Sequence, residues 1–398
     1  MTQPTHVRDR PLILLLAACG AIGGIATNLF LPALPEIRGN FSASIAASQT
    51  TISAYVSAFA VGILIVGPLS DRFGRRPVMI GGIAIFTLGS FVCAWAPTLA
   101  WLVAGRVVQA IGASAGITVA RATIGDLYTG VEVASRMAVL TMVMVAGPAI
   151  SPFLGGFIAA AFGWRMDFWI MLVAGVALLI ACWALLPETR GRHHAPLGFA
   201  DLWRVSGRLL SNRVFVVYSI QAGVIFSMFL VFMSVAPYIM SGPLRRPPTE
   251  FGMYSLSLSS GYFLGNLYVS RHAHRTNADR LVSLGLWLQL GASAVCLMIA
   301  MIGIPHPVWL FGPMVPLTFA QGLALPYITG RAVSLAPGHS GVASSLVGFS
   351  QQALAAISVQ MMGWAAHDSA VPLFTFYTSA AVVCILPVLM FARRSSPA

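Results

Sequence analysis

Gly67-Pro68-Leu69-Ser70-Asp71-Arg72-Phe73-Gly74-Arg75-Arg76 joins two long apolar runs. It puts one acid and three arginines within six residues of a chain that is 58% hydrophobic and 9% charged. Charge this dense is too costly in hydrocarbon, so the segment reads as a turn at a water face. It is too short to be a domain. A tight polar hinge between two membrane spans fixes topology and is the natural seat of a conformational latch.

Outward from this hinge, apolar stretches long enough to cross a bilayer, about 20 residues each, recur along the chain. They lie near 11–31, 44–68, 78–95, 99–120, 137–160, 166–186, 214–239, 252–270, 281–303, 308–330, 342–365 and 371–392. Runs of this length exclude barrel strands, which need about ten residues of alternating polarity. The pattern predicts an all-α polytopic membrane protein with 12 transmembrane helices in two six-helix bundles. The longest internal polar stretch separates residues 1–186, an N-terminal bundle, from residues 214–398, a C-terminal bundle. Residues 187–213 are then a central cytoplasmic loop, in which Phe199–Leu210 predicts a short amphipathic helix on the membrane face. Six spans plus six predict a duplicated transporter with its site between the halves. Gly265-Asn266-Leu267, followed by Arg271, stands in the second half where Gly67-Pro68-Leu69 stands in the first, but lacks the acid.

The net charge of +12 invites a nucleic-acid reading, and its distribution argues against one. All 23 basic residues are arginine. With a cytoplasmic N-terminus, only Arg38, Arg165, Arg245 and Arg246 fall outside, Arg106 falls within a span, and the others lie inside. That is the positive-inside bias. The charge therefore orients a multi-pass membrane protein with both termini cytoplasmic, and no nucleic-acid partner is expected. Arg8 and Arg10 before Leu12–Cys19 imitate a lipoprotein signal, but the apolar run continues to Leu31, which predicts an uncleaved first helix. Cys19, Cys93, Cys182, Cys296 and Cys384 all fall within spans without metal-type spacing. Arg271-His272-Ala273-His274 and His193-His194 read as solvated loops, so neither a metal nor another cofactor is expected.

Arg106 is the one charge placed inside a span. It is either a structural arginine bonded to helix carbonyls or a cavity residue that binds substrate or tunes a proton path. Tyr55, Gln109, Gln221, Phe226, Tyr254, Gln321 and Gln351 are polar or aromatic mid-span residues. They are candidates for the pathway, with helix packing as the alternative. Met142 and Met144 suit either an adaptable binding surface or ordinary packing. Gly147, Gly155 and Gly156 permit close helix approach, and Pro148 and Pro152 remove backbone donors from the same span.

These residues resemble the major facilitator superfamily, and within it the twelve-span drug:proton antiporters of the bicyclomycin/chloramphenicol-resistance branch. Gly67–Arg76 matches the superfamily's loop motif almost residue for residue. Arg106-Val107-Val108-Gln109-Ala110-Ile111-Gly112 is similar to its fourth-span motif. Ala146-Gly147-Pro148, through Pro152 to Gly155-Gly156, is similar to its antiporter motif, while Thr27–Pro35 and Gly341–Gln351 resemble segments of the branch. The resemblance implies a monomeric secondary transporter that exports small amphiphilic compounds by alternating access in exchange for protons. It also implies a latch of Asp71, Arg75 and Asp126, supported by Gly67, Arg72, Gly74 and Arg76. In one state Asp71 would meet the start of the eleventh helix near Ser340–Gly341.

One departure stands out. Four residues before the first of two prolines the branch usually has aspartate, and this chain has Asn28, which carries no proton. All eleven acids, Asp9, Glu36, Asp71, Asp126, Glu132, Asp167, Glu188, Asp201, Glu250, Asp279 and Asp368, are placed in loops or at helix ends. With no acid opposite, Arg106 makes the pocket electropositive and disfavours cationic drugs. Two alternatives stay open: a proton-independent facilitator or importer of a small metabolite, and a polytopic membrane enzyme. For the enzyme the sequence offers no metal pair, nucleophile motif or phosphate-binding loop.

Overall fold

The computed structural model describes residues 9–129, 131–189, 199–272, 278–337, 339–365 and 369–392. By compactness the chain divides into two units, Met1–Glu36 with Ala54–Asp201, and Ile37–Ser53 with Leu202–Ala398. The first half of the chain holds α1 (Asp9–Asn28), α2 (Leu34–Asn40), α3 (Ile45–Phe73), α4 (Arg75–Ala94), α5 (Leu99–Leu127), α6 (Val131–Phe162) and α7 (Arg165–Leu185). The second holds α8 (Phe199–Ser211), α9 (Arg213–Ser241), α10 (Pro248–His272), α11 (Ala278–Ile302) and α12 (Pro307–Phe311). It closes with α13 (Met314–Ser334), α14 (Ser340–Ala365) and α15 (Val371–Ala392). Arg190, Arg192, His193, His194, His274, Arg275, Asp368, Arg393 and Arg394 lie outside the described residues.

Among the described residues, ten helical segments are long and apolar enough to cross a bilayer. Their outward faces require an apolar solvent. In α6 only 17% of the span is buried, and Met142, Ile150, Leu154 and Phe157 point outward. Trp95, Trp101, Trp183 and Trp364 are exposed near helix ends, where an amphipathic ring suits the bilayer interface. The 25 residues of α10 reach far enough but are rich in serine. Ser255, Ser257 and Ser260 each donate to a carbonyl three or four residues back, at 2.6–2.8 Å, so their hydroxyls ask nothing of the surroundings.

The same helix pairings recur in the two halves. The first span (α1) packs on the fourth and fifth (α5, α6), and the third (α4) on the fourth and sixth (α5, α7). In the second half, α9 packs on α13 and α14, and α11 on α13 and α15. The duplication faint in sequence is therefore plain in packing.

Three boundaries differ from the sequence reading. The hinge is not a ten-residue turn: α3 runs through Pro68 to Phe73, and Gly74 alone separates it from α4. The tenth span is two helices, α12 and α13, divided at Gly312-Pro313, because proline cannot donate the backbone bond that would continue the first. The first span stops at Asn28, and Pro32 follows within a short 3₁₀ turn, Leu31–Ala33.

The α1–α6 seam positions the site. A methyl group at Gly155 would collide with the Leu29 carbonyl oxygen, and one at Gly24 would lie 2.5 Å from Pro148 Cγ. The Met144 sulfur lies 3.1 Å from where a Cβ on Gly20 would stand, and Ile25 packs on Gly147. We expect Gly155→Leu to force these helices apart and cost about 1–3 kcal/mol, read as a lower unfolding temperature of the purified protein in detergent. Gly81→Ala, where nothing lies within 4 Å, should leave that temperature unchanged or raise it.

Candidate functional site

Two polar clusters lie within the first unit. The first surrounds Gly74, whose φ of +101° is a conformation that glycine adopts without strain. With the chain so reversed, Arg75 opens α4 and its guanidinium reaches back across α3 and over to α5. Its Nη1 donates to Asp71 Oδ1 at 2.5 Å and to Ser70 Oγ at 2.7 Å, and its Nε donates to Asp126 Oδ2 at 2.8 Å. The Arg75 side chain is only 13% exposed, so this is a partly desolvated network rather than a loose surface pair.

Glu188 was absent from the sequence-derived site. Its Oε1 accepts from the Arg75 backbone N–H at 2.9 Å and its Oε2 from that of Arg76 at 3.2 Å. It thereby satisfies donors that helix geometry leaves open at the start of α4, where negative charge is favoured. A Cβ at Gly74 would lie 2.5 Å from Glu188 Oε2, so the glycine serves this cap as well as the turn. Arg76 donates to the Trp183 carbonyl at 2.8 Å and lies over its ring, which ties the end of α7 to the same place. Arg72 lies over the Phe73 ring. Gly67 has room for a side chain: the nearest atom to where its Cβ would stand is Thr118 Cγ2, at 3.9 Å.

The second cluster is centred on Arg106, which is fully buried. Its Nη1 donates to the Ala26 carbonyl at 3.0 Å and to Gln109 Oε1 at 2.6 Å. Gln109 passes the chain on, its Nε2 donating to Ser90 Oγ at 2.8 Å. The guanidinium carbon lies 3.9 Å from the centre of the Tyr55 ring, 4.3 Å from Phe30 and 5.9 Å from Phe168. Aromatic faces and a backbone carbonyl are what a desolvated guanidinium needs where water is absent. Tyr55 in turn donates to the Gly23 carbonyl at 2.9 Å. One cation thus joins α1, α3, α4, α5 and α7.

Asn28 ends α1 beside this cluster. Its Nδ2 donates to the Gly24 carbonyl at 2.8 Å, while its buried Oδ1 has no hydrogen-bond partner among the described residues. Of the antiporter-type residues, Gly147, Pro148 and Gly155 pack on α1 between Ala21 and Leu29, and Pro152 and Gly156 are buried in the same helix. The structure therefore gathers Asn28, Tyr55, Arg106 and Gln109 around the end of α1, with α6 along its side. Gln221 belongs to the second unit, where its Nε2 donates to the Cys384 carbonyl at 2.6 Å and joins α9 to α15. Gln351 is half-buried on α14. Gln321 donates to the Ile225 carbonyl at 3.5 Å, and Tyr254 stacks on Phe311.

With this geometry in place, comparison with known proteins gives the class. The chain belongs to the Major Facilitator Superfamily, whose family description matches residues 16–359. It is a multi-pass membrane transport protein and not an enzyme. It is 27% identical over 396 residues to multidrug resistance protein D of Escherichia coli (strain K12), covering 96% of each chain. It is 27% identical over 310 residues to a chloramphenicol resistance protein of Pseudomonas aeruginosa, covering 75% of this chain and 72% of that one. Among solved structures it superposes on a D-xylose-proton symporter with a TM-score of 0.75 at 15% identity, covering 96% and 97% of the two chains, a likeness of fold.

Lysine keeps the charge of Arg106 but has neither the flat face nor the forked donors. We expect both Arg106→Lys and Arg106→Ala to insert in the membrane and to lose transport, measured as uptake of a labelled drug into everted vesicles normalised to protein.

Proposed function

We propose that the protein is a secondary transporter of the bacterial inner membrane that exports small, neutral or electronegative amphiphilic compounds in exchange for protons. Both termini are then cytoplasmic, and two six-helix bundles, residues 1–186 and 214–398, alternate access to a central pathway. The observation that carries this reading is the α1–α6 seam. The antiporter-type glycines and prolines pack on the last turns of α1, beside Asn28 and the Arg106 cluster. The full-length relationship to a multidrug resistance protein supports the choice of cargo. The buried guanidinium supports the preference against cations.

The Arg75 network is the latch in this reading. It lies at the cytoplasmic end and stabilises one of the two access states. Gly67, Arg72, Gly74 and Arg76 frame it, while Asp71, Arg75 and Asp126 make its contacts.

A second reading, a facilitator without proton coupling, has one observation in its favour: position 28 holds an amide where a proton-carrying acid stands in the branch it resembles. Proteoliposomes loaded with a pH-sensitive dye separate the two. Chloramphenicol added against an imposed pH gradient should collapse that gradient if exchange is coupled, and should leave it intact if the protein is a facilitator. For the latch, we expect Asp71→Asn to lower kcat with KM little changed, as measured by initial rates of chloramphenicol transport. An unaltered kcat removes Asp71 from the cycle.

A further inference from the structure

We propose that Asp167 is the carboxyl that carries the exchanged proton, in place of the acid absent at position 28. The proposal rests on the proton-exchange reading above and names the group that performs it.

Asp167 stands in the first turn of α7, a helix-end position that suggests a solvated residue. The fold buries it instead, to 1% exposure. Neither carboxyl oxygen has a hydrogen-bond partner among the described residues. An ionised carboxylate without water, donors or a counter-ion is costly to keep in such a place, whereas a protonated one is neutral. Burial and proton occupancy therefore go together, and exposure to water goes with release. A group with that property is what proton exchange requires, and intramembrane acids mark such relays.

The surrounding charges sharpen the point. Glu36, half-buried on α2, is the titratable group whose charge reaches Asp167. The nearby cations are directed elsewhere. Arg165 donates to the Ala96 carbonyl at 3.1 Å, lies 4.2 Å from the centre of the Trp164 ring, and exerts its field on Glu36. Arg106 is engaged by Ala26 and Gln109. Glu36 is also bonded to the backbone of Trp164, and its Oε1 lies 3.2 Å from where a Cβ on Gly163 would stand, so it is fixed against the α6–α7 turn.

On the other side, the ring of the next residue, Phe168, lies 5.8 Å from Phe30 and 5.9 Å from the Arg106 guanidinium. Asp167 is thus the chain neighbour of a residue that packs on the cluster at the end of α1, with the more accessible Glu36 as its relay to water. One proton passes from water through Glu36 to the Asp167 carboxylate, which becomes the neutral acid. In the opposite access state the carboxyl O–H breaks, the proton passes to water on that side, and the Asp167 carboxylate is regenerated.

The test uses the full-length protein in proteoliposomes with chloramphenicol as probe, and compares transport driven by a pH gradient with exchange of labelled for unlabelled drug at equal pH. Asp167→Asn is expected to lose gradient-driven transport and keep exchange, and Asp167→Glu to recover part of the gradient drive. In parallel, infrared difference spectra of the drug-free protein on a pH jump should contain a protonated-carboxyl band that Asp167→Asn removes. A variant that retains the gradient drive overturns the proposal. So does one that loses both transport modes with the infrared band unchanged, whereas loss of both with loss of the band supports it. If the wild-type protein exchanges drug but shows no gradient drive, the coupling reading itself fails and the assignment of Asp167 falls with it.

Discussion

The Arg106 guanidinium is fully buried within the first unit. That constraint dictates much of what surrounds it. The Ala26 carbonyl must face inward from α1, which fixes the rotation of that helix. Tyr55, Phe30 and Phe168 must present their faces from α3, from the turn after α1 and from α7. Gln109, one turn further along α5, must orient its amide so that its oxygen accepts from Arg106 while its nitrogen donates to Ser90. Four elements besides α5 are thus held in register by a group that tolerates few alternatives. The bilayer makes the constraint stronger, because a displaced arginine would find neither water nor another acceptor at that depth.

The Arg75 network works under the opposite condition. Its acids are partly exposed, Asp71 to 43% and Asp126 to 27%, so each ion pair alone contributes little. What gives the cluster definition is its backbone component. Glu188 closes the open donors of α4, Gly74 takes the conformation that lets it approach, and Arg75 is then aimed at two acids from a fixed base. The network's contacts lie apart from the packed interior around Arg106.

Much of this was legible in the residues. The all-α fold and the order of its spans followed from apolar run length, whereas the break at residues 312–313 lay within a run read as one span, 308–330. Other features were not legible, for physical reasons. Arg106 could be placed in a span, but one of its acceptors is the Ala26 carbonyl, and backbone carbonyls are the same at every position. Glu188 could be seen only as an acid after a helix end, since the donors it caps lie more than a hundred residues earlier. Asp167 follows Arg165 at a helix start and reads as a solvated pair. Its burial to 1% exposure is set by the tertiary fold, and no local pattern encodes that. The serines of α10 did not hide its run, read at 252–270, and Ser255, Ser257 and Ser260 are each satisfied within the helix itself.

The seam between α1 and α6 has a mechanical consequence. Where Gly155 meets the Leu29 carbonyl and Gly24 meets the Pro148 ring, the surfaces in contact are backbone and a rigid ring, with almost no rotatable side chain between them. Ordinary helix pairs interlock through side chains, and one helix slides past the other only after those side chains change rotamer. At these two points there is little to unlock, whereas at Gly20 and Gly147 the Met144 and Ile25 side chains still interlock the pair. The end of α1 is therefore positioned less by interlocking with α6 than by the Arg106 contacts to Ala26 and Phe30, which set where Asn28 stands.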